Sequence, residues 1–233
     1  MSQAPSFDKG QLRMAGIAGI LGGILILLFA VVGESHGVFF YDAVFDGASV
    51  EPWMRNVVAG GSLSKGIMAL PALGFACQFI VIGVLRRYIA EDSWQKTLAV
   101  TGYSIGVPVA VAAFLLQLSL MNQVLLVHAN RPALSPALEL VASLHLHYFH
   151  VVNHFVGPFF IMILGTAMIA WAARRSGVLP GWICGWLIGC GVMLFISLFS
   201  PLVPALGALG LFAPLHMLGF VVLGVILLRR SWN

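Results

Sequence analysis

The segment His145–Pro158, HLHYFHVVNHFVGP, holds four of the seven histidines of the chain within ten residues. Imidazole ligates transition metals and haem iron and moves protons near neutral pH, so this crowding marks a place where chemistry could be done. At about 100° per residue, His147, His150 and His154 share a helical face about 60° wide. Ser143 and Glu139 extend that stripe, and His145 points to the opposite side. His150 and His154 are four apart, the spacing at which two imidazoles of one helix grip one ion. His147 is two turns, roughly 10 Å, from His154, so a single ion needs ligands from another element and leaves the third histidine to a second ion or a supporting bond. Pro158 deprives the His154 carbonyl of its helical donor, and with Gly157 beside it a bend is expected just beneath the histidines.

The elements that must position these residues are membrane helices. Of the 233 residues 60% are hydrophobic and 9% charged, where a soluble domain carries roughly a quarter charged. Uncharged runs of about 20 residues match a hydrocarbon core of ~30 Å. The fold class expected is all-α, a polytopic transmembrane helix bundle, with residues 1–233 as one transmembrane domain. Six spans are expected, near 14–33, 66–85, 98–121, 148–173, 181–199 and 207–228. Continuous apolar runs exclude the alternating strands of a barrel. The run after the polar N-terminus is too long for a signal peptide and has no small-residue cleavage site, so it reads as a retained helix.

Lys and Arg set the orientation. With the N-terminus inside, nine of the twelve basic residues fall in the cytoplasm, and Arg55, Lys65 and Arg131 fall outside. Both termini are then cytoplasmic. The net charge of +4 is spread over small groups at helix ends, with no basic stripe, which argues against nucleic acid; the expected partner is the lipid bilayer. Cys77, Cys184 and Cys190 lie in apolar runs and read as small buried hydrophobes.

This topology gathers the polar groups on the outer face. His36 follows the first span and His128 the third, the histidine cluster opens the fourth, and Glu34 and Glu139 join them. The metal-ligand candidates are therefore His147, His150, His154, His128, His36, Glu139 and Glu34, for iron, copper or zinc. His216 stands apart, deeper and beside Pro214; for haem, His154 with His128 or His216 is the candidate pair. The Glu-x-x-His pattern of di-iron bundles, H-E-x-x-H, the P-loop and G-x-S-x-G are all absent, and GGSLSKG at 60–66 lacks phosphate-loop spacing.

Three readings follow. The first is a membrane redox enzyme or metalloenzyme, or a subunit of one, with a metal or haem near the outer face. The second is a transporter or channel for a small solute, proton or metal ion, with the stripe lining an outward vestibule and the proline kinks serving gating; a proton-relay or pH-sensing role of the histidines is a separate alternative. The third is an accessory subunit that packs through small residues. Gly181, Gly185 and Gly189 recur every four residues in the fifth span, as Gly19 and Gly23 do in the first, and such rows let helices approach closely in lipid. The partner of the fifth-span row is another span, another subunit or a second copy. Pro71, Pro108, Pro158 and Pro214 interrupt four spans. In the long connection 33–64, HGVFFYDAVFDG reads either as one interfacial helical turn or as a solvated loop with aromatic anchors.

The stretch GVLPGWICGWLIGCGVMLFISLF (177–199), with its Leu-Pro-x-Trp entry into a glycine-rich span, resembles an uncharacterised bacterial integral-membrane family, a domain of unknown function. RMAGIAGILGGILILL and IVIGVLRRY are similar in style. The resemblance implies a six-helix protein of the bacterial inner (plasma) membrane and implies no activity; the histidine cluster is not part of it.

Overall fold

Asp8 opens the first helix. Its carboxylate accepts the amides of Gly10 and Gln11 at 2.8 and 3.2 Å and caps α1 (Lys9–Ser35). The computed structural model describes residues 8–38, 50–89, 93–130 and 135–232, apart from the side chains at 128–130, 135, 150, 153 and 154. After α1 come α2 (Glu51–Gly60), α3 (Ser62–Leu85), α4 (Trp94–Asn130) and α5 (Ser135–Val156). A π-helical segment (Gly157–Ala167) continues α5 into α6 (Met168–Arg175). Then follow α7 (Gly181–Ser197), a 3-10 segment (Pro204–Leu211) and α8 (Phe212–Trp232). No strand occurs among the described residues. Five stretches are long and apolar enough to cross a membrane: α1, α3, residues 94–127 of α4, 157–175 and 204–232; α7, 17 residues, is shorter but equally apolar. The chain is a multi-pass membrane protein whose outward Leu21, Leu28, Val31 and Leu116 suit contact with lipid.

Glycine decides how these helices meet. A Cβ on Gly224 of α8 would lie 2.6 Å from the Gly16 carbonyl oxygen of α1, and one on Gly23 would lie 2.7 Å from the Met217 carbonyl. Backbone touches backbone there, as the Gly19–Gly23 row predicts, and no larger residue fits. Gly16 faces Gly224 and Leu228 while Gly23 faces Met217 and Val221, so α1 and α8 are antiparallel and the start of one sits beside the end of the other. On a second side of α1, a Cβ on Gly22 would lie 2.9 Å from the Gly74 carbonyl of α3. The fifth-span row behaves differently. Cβ atoms on Gly185 and Gly189 would meet nothing within 4 Å, and one on Gly181 only Arg174 Nε at 3.9 Å. That row faces away from the bundle, and α7 packs instead through Ile183, Leu187 and Leu194, all buried.

One end of the bundle is knitted together and basic. The Asp8 amide donates to Tyr88 Oη at 3.2 Å, tying the start of α1 to the turn after α3. Lys96 Nζ donates to the Ile89 carbonyl at 3.2 Å, the Trp94 and Trp171 rings meet edge-on at 5.7 Å, and Arg230 donates to the Val178 carbonyl. Trp94, Trp171, Trp182 and Trp232 are all exposed at this end, the place of tryptophan at a membrane–water boundary.

The π segment replaces the expected simple bend. With no amide on Pro158 the ladder shifts register by one residue instead of breaking, and the Thr166 hydroxyl donates to the Ile161 carbonyl at 3.0 Å, five residues back. The Thr166 hydrogen being spent there, Tyr103 Oη donates to Thr166 Oγ1 at 2.7 Å in a fully buried contact. Tyr103→Phe is expected to cost about 1–2 kcal/mol, read as a lowered unfolding midpoint in detergent, because it strips one bond from a buried pair.

Three further boundaries differ from the sequence expectation. α4 continues to Asn130, carrying His128 on the helix, because no breaker occurs before Pro132. At ~1.5 Å per residue its 37 residues reach ~55 Å, well beyond one hydrocarbon core. The fourth span's helix starts at Ser135, so the histidines lie inside a helix and not at its entry. α2 lies late in the connection 33–64, with Pro52 in its first turn and Trp53 buried, its Nε1 donating to the Val38 carbonyl at 3.0 Å. The aromatic motif before it falls mostly on 39–49, outside the described residues. Pro214 is the third residue of α8, where a helix needs no amide donor, so it begins that helix and does not interrupt it.

Candidate ligand cavity and the histidine helix

Packing on glycine brings α1, α3, α4, α5, the π segment and α8 together around a cavity of about 180 Å³. α3 supplies Met68, Pro71 and Phe75, and α4 supplies Phe114 and Gln117. Leu146 and Phe149 come from α5, Met162 from the π segment, and Ala213, Pro214 and Met217 from α8. α1 closes the side with Ile26, Leu27, Phe29 and Ala30. Phe114 sits among three rings, edge-on to Phe29 at 5.6 Å and to Phe149 at 5.1 Å, and 6.1 Å from Phe75. Of the described lining side chains only Gln117 carries a hydrogen-bonding amide.

Gln117 is 0% exposed, and neither its Oε1 nor its Nε2 has a hydrogen-bond partner among the described residues. Each unsatisfied atom costs about 1–3 kcal/mol, so two on one side chain ask for a function. Two more buried polar groups lie close in sequence to the lining. Gln78 Nε2 donates to Met217 Sδ at 3.0 Å, leaving its Oε1 without a partner among the described residues. His216, next to Met217, is fully buried with both ring nitrogens unpartnered among the described residues, its ring 5.7 Å from Phe220.

Burial is uneven around the cavity. Gln117, Met68 and Phe114 are buried, whereas Leu27, Ala30 and Ala213 are half-buried and Pro214 is exposed. The less buried lining residues thus lie on the far half of α1 and the first turn of α8, at the end away from the basic residues.

The histidine helix forms one wall. Ala142 and Leu146 are buried and Phe149 half-buried, which defines the inward face of α5. His147 lies off that face and is exposed; His145 is half-buried, and desolvation lowers its imidazole pKa below the ordinary value. His36 ends α1, where its Nδ1 donates to the Val32 carbonyl at 2.9 Å, a helix-capping role. Glu34 is exposed and Glu139 half-buried. The side chains of His128, His150 and His154 lie outside the described residues, and among those described no three of His, Cys, Asp or Glu gather to hold a metal. The cysteines are free, Cys184 and Cys190 buried and Cys77 half-buried.

Gln78 and Gln117 were the signal left unused in the sequence: each is a lone amide inside an apolar run, ACQF and LLQL, where a polar side chain is expensive and marks a site as readily as histidine does. Comparison of the chain with family models, curated proteins and solved structures found no match.

Proposed function

We propose that this chain is a six-span protein of the bacterial inner membrane, with both termini cytoplasmic, that admits a small lipophilic molecule sideways from the bilayer and holds it against Gln117. The carrying observation is the cavity itself: apolar walls and one buried amide unsatisfied among the described residues are the pattern of a small-molecule site between helices. Six crossings are supported by the antiparallel α1–α8 pair, since termini at one end require an even number and α7 must then be counted. The basic, tryptophan-ringed end supports its assignment to the cytoplasm. The test is co-purification. Protein extracted from its membrane is expected to carry a small lipophile by mass spectrometry, and Ala213→Trp, at the less buried side of the lining, is expected to lose it while keeping its unfolding midpoint. Wild-type protein that carries nothing and binds no added lipophile sinks the reading.

A second reading keeps the histidines: a metal or haem held by His147, His150 and His154, with His128, His36, Glu139, Glu34 or His216 as partners, making the protein a redox enzyme, metalloenzyme or subunit. Two observations favour it. The π segment begins three residues after His154, and such segments concentrate at functional sites. The same helix walls the cavity through Leu146 and Phe149, so redox chemistry there would adjoin a bound lipophile. Purified protein is then expected to hold stoichiometric iron, copper or zinc, or to show a Soret band that His150→Ala with His154→Ala removes; neither metal nor Soret band refutes it. We assign the outward Gly181–Gly185–Gly189 row to contact with another subunit or a second copy, since none of the described residues covers it.

A further inference from the structure

We infer that the cavity takes a neutral, single-ring aromatic molecule that presents a hydrogen-bond donor and an acceptor side by side, as a carboxamide or an un-ionised carboxylic acid does. This rests on the cavity being a ligand site. Size sets the first limit. An apolar cavity of ~150 Å³ holds one benzene, so about 180 Å³ holds a ring and a substituent of a few atoms. The walls set the second. Phe114 and the three rings around it offer edges and faces to an aromatic guest, and Met68, Met162 and Met217 add polarisable sulfur. Charge sets the third. Among the described lining side chains none is cationic or anionic, so an ionised guest would meet no counter-charge from them.

The amide sets the fourth. Gln117 offers one acceptor and one donor group 0% exposed, and both are unsatisfied among the described residues. A ketone or ether would satisfy Nε2 alone, and a tertiary amine satisfies only one of the two atoms in either state, Oε1 as the ammonium or Nε2 as the free base. A carboxamide or carboxylic acid pairs with both in one plane, removing two unsatisfied atoms in a single contact.

The test uses the full chain in detergent micelles with 13C-methyl methionine, whose Met68, Met162 and Met217 signals report the cavity directly. The probes are benzamide and toluene, near-equal in shape and different in the paired polar atoms, compared at equal concentration within the detergent phase. Both are expected to shift those methyls, with benzamide binding about tenfold tighter or more for two added bonds. Gln117→Leu and Gln117→Met, two variants so that one folding failure does not decide, are expected to erase the benzamide advantage and leave toluene unchanged. Benzoate at neutral pH is expected to bind at least tenfold more weakly than benzamide. Equal affinity of benzamide and toluene, the result if water alone satisfies Gln117, overturns the inference. So does an advantage that survives the Gln117 variants, or benzoate matching benzamide. In those cases toluene binding still upholds the cavity reading. No methyl response to either probe overturns both.

Discussion

Gly224→Leu is expected to abolish the folded bundle, and Gly224→Ala to lower its stability by about 1–3 kcal/mol or more. The added Cβ of alanine would meet the Gly16 carbonyl at 2.6 Å and the Ile20 amide at 2.7 Å, both backbone atoms that cannot rotate away. Relief requires α1 and α8 to part along their length. Parting them also exposes Gly19 and Gly23, whose closeness depends on the same axis separation. The matched control is Gly185→Ala, whose Cβ meets nothing and which should shift stability by no more than ~0.5 kcal/mol in the isolated chain. Unfolding midpoints of the three variants in one detergent check this. Similar losses at 185 and 224 would mean that the α7 row, not the α1–α8 pair, sets the packing.

Gln117→Met is expected to stabilise the ligand-free protein by about 1–3 kcal/mol. Methionine keeps nearly the same length and volume, so the cavity walls are not disturbed, and it removes two buried polar atoms that have no partner among the described residues. A side chain that makes a protein less stable without its ligand is retained for what it does with the ligand. The sign of the change is the informative part. A loss of stability would place a protein partner on the Gln117 amide and leave the cavity without a polar anchor.

Helicity and the membrane setting were legible from apolar runs, because nothing but a helix satisfies its own backbone across hydrocarbon. The Gly19–Gly23 row was read correctly as a packing row because glycine spacing in lipid reports the approach of a neighbour. The Gly181 row has the same spacing and faces outward, and spacing alone cannot tell which side a row points to. Helix ends were misplaced for a related reason. Hydropathy marks where the bilayer stops, whereas α4 runs on past His128 to Asn130. Helical spacing puts the histidine stripe on one face, yet the direction of that face depends on what α5 packs against. Ala142, Leu146 and Phe149 turn inward and His147 outward, information that resides chiefly in α4, whose Phe114 meets Phe149. The cavity was illegible for the same reason: six separate elements line it, and no local pattern announces a space that none of them fills.

The clasp between α1 and α8 also fixes an order of events during synthesis. Gly19 and Gly224 are some 200 residues apart, and at ~5–20 residues per second the first helix waits roughly 10–40 s for its final neighbour. Meanwhile α3 holds it through Gly22 and Gly74, leaving the Gly16–Gly23 side bare. Until Ala213, Pro214 and Met217 arrive, the cavity lacks a wall. The cavity is thus the last part of the molecule to come into being, and a nascent chain halted before Phe212 would hold its earlier helices around an incomplete wall.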